Sequence, residues 1–149
     1  MDTSKQPGLQ IAQVLLLTAH FSHREDALAL VANTAIENLT VQIEAKVAGK
    51  SGDPVAVVRL RVFTEKNPEH LYNFDVEIAA VITHVPGEEN LDPFEYARSM
   101  GPAAFFPFLR EAVANITMKG RFGAVWLKPV NFLAIPQQTA AEVAALSEG

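Results

Sequence analysis

Residues Pro102–Phe132 read PAAFFPFLREAVANITMKGRFGAVWLKPVNF. The first half of this stretch has the composition of a helix, and the second half does not. Phe105, Phe106, Phe108, Leu109, Val113, Ile116 and Met118 crowd together and, at the helical period, cover much more than one stripe. A helix lying on a single sheet needs only one apolar stripe. One that is apolar on two sides is covered on two sides, and in a chain this small the second cover is expected from another subunit. Phe105, Phe106, Phe108, Leu109, Val113 and Ile116 are therefore the expected oligomer interface. Pro107 marks the expected helix start and Gly120 its end. Beyond it, Arg121–Phe132, with Pro129 inside, reads as an extended segment.

Working toward the N-terminus, Asp92-Pro93 fits a cap and first-turn pair, with Glu95 at the positive end of the helix dipole. Gly101-Pro102 interrupts the helical region. Upstream of Pro86-Gly87 the pattern changes from helical to alternating. Leu39, Val41, Ile43, Ala45 and Val47 alternate with Thr40, Gln42, Glu44 and Lys46, so one face is dry and the other wet. Val55–Thr64 repeats the pattern, with Arg59 and Arg61 on the wet face. Leu71–Val85 predicts a strand bent near Ala79-Ala80, and Leu9–Phe21 a long first strand. The turn clusters at 49–54 and 65–70 are short, which predicts an antiparallel meander. His20–Glu37 reads as a long connection. Downstream, Thr139-Ala140-Ala141-Glu142 is a capping box that predicts a last helix. Strands followed by helices give an α+β class: a four-stranded antiparallel sheet, a long helix, an extended linker and a C-terminal helix. Residues 1–8 read as a flexible terminus and 9–149 as one domain.

The composition narrows the function. The 149 residues are 49% apolar and carry a formal charge of −5, with 17 acidic and 12 basic residues. The basic residues are scattered, which argues against nucleic acid. There is no cysteine, so disulfides, thiol catalysis and thiolate metal sites are excluded. The Leu9–Phe21 run is broken by Gln10 and Gln13 and is too short to span a bilayer, so direct membrane insertion is not expected. The expected address is the cytoplasm. Phosphate loops, nucleophile elbows and dinucleotide fingerprints are missing, and no enzyme is expected. His20 and His23, near Glu25 and Asp26, lack a clear third metal ligand and read as a polar connection. His70 and His84 read as surface or strand-end residues, and Arg110-Glu111 as an exposed or interfacial pair.

The series Pro102, Phe106-Pro107-Phe108, Arg110-Glu111, Gly120, Phe122, Leu127 and Pro129-Val130-Asn131-Phe132 resembles the SecB family of protein-export chaperones. Leu60-Arg61-Val62 and the strand order extend the likeness. The resemblance implies a homotetramer, a dimer of dimers with the long helices packed between dimers. It implies apolar surface grooves that hold unfolded precursor polypeptides and pass them to the ATPase SecA, with no cofactor and no metal. Carried onto this chain, the client-binding residues are Val130, Phe132, Leu133, Ile135, Val81, Ile82, Leu28, Leu30 and Val31. Pro136 departs from an aromatic position of the family. Asp75 and Glu77 are the candidates for translocase docking, while Thr18 and Ser22 stand where the family has acids. Two alternatives stay open: a SecB-like chaperone dedicated to another client such as an antitoxin, and a small-ligand-binding α+β domain, which needs a closed pocket with convergent polar groups.

Overall fold

Val41, Ile43, Ala45 and Val47 are buried while Gln42, Glu44 and Lys46 are half-buried, so the alternation in the sequence becomes a strand with one dry face. The computed structural model describes residues 5–6, 8–24, 41–64, 71–85, 91–130, 132 and 144–148. Its strands are β1 (Lys5–Gln6), β2 (Leu9–His23), β3 (Val41–Ala48), β4 (Val55–Thr64), β5 (Tyr72–His84) and β6 (Ala144–Glu148). The helices are α1 (Pro93–Ser99) and α2 (Gly101–Thr117). All strands pair antiparallel in the order β1-β2-β5-β4-β3-β6.

The four long strands of the α+β fold are present, and the meander is β3-β4-β5. β2 instead joins the far side of β5. The bend expected at Ala79-Ala80 lies in the facing strand: β2 has irregularities between Ile11 and Gln13 and between Leu16 and Thr18.

Both helices cover one face of the sheet. Asp92 caps α1, its carboxylate accepting the Phe94 N–H at 3.1 Å. It also accepts the Ser51 hydroxyl at 2.8 Å, which ties the β3–β4 hairpin to the helix. Desolvation alone would raise the Asp92 pKa, but the bonds from Ser51 and the backbone N–H groups outweigh it and lower the pKa. α2 begins at Gly101 rather than at Pro107 and passes straight through that proline. The Ala103 carbonyl loses its intrahelical donor there, but Ala103 is solvent-exposed, so water can replace it. Gly101 is required by close packing: a Cβ there would stand 2.6 Å from Val58 Cγ2 on β4.

The chain leaves α2 through Gly120 and becomes an extended linker that joins no strand from Val125 to Val130. Side chains hold its backbone in place of a ladder. The buried Tyr72 hydroxyl accepts the Phe122 N–H at 2.8 Å and donates to the Gly123 carbonyl at 2.9 Å. Thr117 Oγ1 accepts the Val125 N–H at 2.8 Å while donating to the Val113 carbonyl at 2.7 Å. Arg110 Nε–H donates to the Leu127 carbonyl at 2.9 Å. So anchored, the linker lays Leu127 and Phe132 into the core.

The helix expected from Thr139 gives way at its far end to β6, where Val41 pairs with Glu148 and Ala45 with Ala144. Without β6, β3 would be a sheet edge with a row of open backbone groups. Pairing along that edge outweighs the helix propensity of an alanine-rich segment, since short isolated helices are marginal. Residues 139–143 lie outside the described residues.

Two outcomes test this packing. Tyr72→Phe keeps the ring but leaves the Phe122 N–H and Gly123 carbonyl without their partner, so urea unfolding should show a loss of about 1–3 kcal/mol. Burial pushes the Tyr72 phenol pKa up, against the lowering effect of its two backbone bonds. Its contribution to stability is therefore complete below the ordinary tyrosine range, about pH 10, and declines as pH rises through it. That part of the alkaline decline should vanish in Tyr72→Phe. Separately, Gly101→Ala should cost about 1–3 kcal/mol by overpacking, and Val58→Ala in the same chain should recover part of the loss as a positive coupling in a double-mutant cycle.

Candidate functional site

α2 has three working sides. Phe105, Leu109 and Val113 are at most 1% exposed and pack into the chain's own core. Phe106, 8% exposed, turns toward the linker and meets Phe132 edge-on with ring centres 5.6 Å apart. Phe105, Leu109 and Val113 are thus corrected from the oligomer interface to the interior, and Phe106 is covered from the side by the chain's own linker rather than by another subunit. Phe108 is 44% exposed and Ile116 half-buried, and they stay on the outer side with Met118.

Two apolar grooves flank the helix. The first, about 390 Å³, lies between α2 and the linker. Phe106, Pro107, Arg110, Trp126, Val130 and Phe132 form its principal lining. The second, about 670 Å³, lies between the outer side of α2 and β2, where Leu16 and Ile78 face Phe108, Ala112 and Ile116. Apart from its short pairing with β1, β2 has no neighbour on its outer edge among the described residues, and Leu15, Leu16 and Leu17 are exposed along it.

The expected client-binding residues divide. Val130 and Phe132 are brought together in the linker groove. Val81 and Ile82 are neighbours on a strand and point to opposite faces. Ile82, 1% exposed, belongs to the core and is corrected out of any surface groove. Val81 is half-buried on the helix-free face, level with Val57 and Gln13. Leu28, Leu30, Val31, Leu133 and Ile135 lie outside the described residues. Trp126, Pro107 and Arg110 complete the groove. The sequence marks Pro107 as a helix start and Arg110 as half of an exposed or interfacial pair, while Trp126 carries no reading there, because its contact with Arg110 depends on how the linker folds back.

Asp75 and Glu77 lie on the helix-free face, and both are paired there. Arg61 Nη2 and Nε grip the two oxygens of Asp75 at 2.7 and 2.9 Å, with Glu44 at 3.5 Å. Arg59 Nη2 holds Glu77 at 2.7 Å. The bond to Asp75 dominates in raising the Arg61 pKa further, against the cost of burial. Thr18 is level with Glu77 and Ser22 with Asn73, so β2 adds no acid beside them. His20 is level with Asp75 on that face, while His23 lies on the other face and its Nε2 accepts the Arg121 N–H at 2.9 Å. Among the described residues no three metal-ligating side chains cluster, and no helix is long and apolar enough to cross a membrane.

The family model of the preprotein translocase subunit SecB matches residues 3–143. Protein-export protein SecB of Pseudomonas paraeruginosa is 31% identical, over 74% of this chain and 69% of that protein. Its counterpart from Nitrobacter winogradskyi is 27% identical over 99% of this chain and 92% of the relative. Among solved structures, a Mycobacterium tuberculosis SecB-like chaperone in complex with a peptide from an antitoxin superposes with a TM-score of 0.56. It is 22% identical, over 83% of this chain and 88% of that one, a likeness that establishes the shared fold. The chain belongs to the SecB family of protein-export chaperones.

Proposed function

We propose that this chain holds unfolded precursor polypeptides in the groove between α2 and the linker and keeps them competent for translocation. The observation that carries this is the groove itself: an open apolar channel over Phe106, Val130 and Phe132, walled by a backbone that joins no strand from Val125 to Val130. An unfolded chain offers apolar side chains and unpaired backbone groups, and such a channel accepts both with little demand on sequence. Val81 would add a second contact on the helix-free face, and Leu133, Ile135, Leu28, Leu30 and Val31 complete the proposed client-binding set. The role is one of binding without catalysis, in the cytoplasm, where precursors are met before export.

The same proposal includes a homotetramer built as a dimer of dimers. Its support is the long edge of β2, which beyond β1 has no neighbour among the described residues, together with the groove bearing Phe108 and Ile116, since a long exposed apolar strand edge is a hazard in a lone monomer. A multimer also lets a long client span several grooves, adding avidity to weak local contacts.

A second proposal, service to a client other than export precursors, such as an antitoxin, has one observation in its favour. The acids available for docking SecA are neutralised within the chain by Arg59 and Arg61. Purified SecA separates the two: a stable complex in sedimentation supports export, and its absence beside intact client binding supports the dedicated role.

Dilution of a chemically unfolded precursor protein into buffer tests client holding. Light scattering should fall in the presence of the chain, and Val130→Asp should weaken that protection roughly tenfold in concentration. Unchanged scattering with the wild-type chain would overturn the proposal. Static light scattering should give about four chains per particle, and Leu16→Glu, on the β2 edge, should shift the mass downward by placing charge against charge in the interface.

A further inference from the structure

The imidazole of His23 holds the chain where it leaves α2. Its Nε2 accepts the Arg121 N–H at 2.9 Å, joining the end of β2 to the turn that opens the linker. A backbone N–H can only donate, so Nε2 carries no proton and the ring is neutral, with its hydrogen on Nδ1. His84 makes the opposite demand. Its Nε2 lies 2.6 Å from the Leu91 carbonyl, which can only accept, so that nitrogen is protonated. Adding a proton therefore leaves the His84 bond intact and removes the acceptor that Arg121 uses. Four side chains anchor the backbone from Arg121 to Leu127: His23, Tyr72, Thr117 and Arg110. Only the imidazole changes charge between about pH 8 and 5. It is exposed, so a proton reaches it without unfolding. Packed around it are Phe21 of its own strand, Tyr72 of β5 and Phe122 of the turn, with ring centres 5.2, 5.3 and 6.3 Å away. The Tyr72 phenol, its pKa pushed up by burial, stays neutral in this range. The charged residues flanking His23, Arg24 and Arg121, are both cationic, so none of these described neighbours is an acid that would hold an imidazolium in place.

We propose that His23 is a proton-sensitive latch on the linker. Neutral, it ties the turn after α2 to the end of β2. Protonated, it presents an N–H to the Arg121 N–H, two donors with no acceptor between them, and the turn is released. The sign follows from the bond: its contribution is complete while the ring is neutral and is lost as pH falls through the histidine range. Tyr72, Thr117 and Arg110 keep their bonds, so acid loosens the linker at its start and does not unfold the chain. The released turn leads into Trp126 and Val130, which line the linker groove. Acid would thus weaken the hold on a client without altering any residue of the groove itself. That consequence, unlike the latch, rests on the groove being the client site proposed above.

Hydrogen exchange at the Arg121 amide, followed by NMR and corrected for the intrinsic pH dependence of exchange, reads the latch directly. Between about pH 7.5 and about pH 5.5 its protection should fall about fivefold in the wild-type chain, as the loss of one ordinary hydrogen bond implies. His23→Gln, whose amide oxygen can accept the same N–H without titrating, should remove the step. His23→Phe, which keeps a ring but offers no acceptor, should give the low protection at both pH values. His84→Gln should leave the step in place. Trp126 is the only tryptophan in the chain, and its fluorescence anisotropy should fall with the same step in the wild type and not in His23→Gln. Equal protection of the Arg121 amide at both pH values in the wild type, or a step that survives His23→Gln, overturns the latch. Aggregation suppression by the wild type and by His23→Gln, compared at the lower pH, then separates latch from client site. Weaker suppression by the wild type supports both. Equal suppression with the Arg121 step present keeps the latch and places the clients outside this groove.

Discussion

The fold depends on how the chain past Gly120 is held without a sheet. An extended segment needs partners for its N–H and C=O groups, and in a protein they ordinarily come from a neighbouring strand. Here they come from Tyr72 on β5 and from Thr117 and Arg110 on α2, three side chains that bond the backbone of Phe122, Gly123, Val125 and Leu127. Gly120 permits the closest of these approaches, since a Cβ there would lie 2.5 Å from the Tyr72 hydroxyl. Once the linker is pinned, Leu127 and Phe132 cover the side of α2 that the sheet cannot reach. The linker groove is the space left between the pinned backbone and the helix.

The two faces of the sheet are stabilised by different means. On the helix side, Val, Ile, Leu and Phe residues of β3, β4 and β5 form a dry core with α2, and the hydrophobic effect provides most of the stability. On the other face Glu44, Asp75 and Glu77 face Arg59, Arg61 and Lys46, a balanced set of charges across three strands. Such half-exposed pairs contribute little to stability, but they keep that face wet and leave it without a strong sign of its own. β2 fits neither pattern. Its two irregularities and its exposed Leu15, Leu16 and Leu17 set it apart from the other long strands.

Local patterns were readable in the sequence, and long-range ones were not. The alternation in β3 and β4, the Asp92-Pro93 cap and the break before Gly101 are set by neighbours a few residues apart, and each is found where the pattern puts it. The two-sided apolar character of α2 was also real, but its second cover is the chain's own linker. That could not be foreseen because the Tyr72–Gly123 bond joins residues distant in sequence. Pro107 reads as a helix start on local rules, yet the helix extends one and a half turns before it because Gly101 packs against Val58. Past the capping box, Ala144–Glu148 pairs along the β3 edge instead of continuing a helix. Of the groove, Val130 and Phe132 were legible, while Ile82 was misplaced by a single residue of strand parity, enough to turn a side chain from the surface into the core.

Arg110 shows how one residue can serve the fold and the site together. A lysine in its place would offer charge but no fixed plane, and a glutamine could reach Leu127 but would offer no charge. The guanidinium does both because it has donors to spare: Nε–H is directed at the linker carbonyl, and the Nη groups bond no described residue. The bond that pins the linker is therefore also what aims the cation, and the orientation of Trp126 beside it follows from the same backbone anchor at Leu127. The paired charges on the helix-free face have no such double role, since each cation there is consumed by an acid of the same sheet.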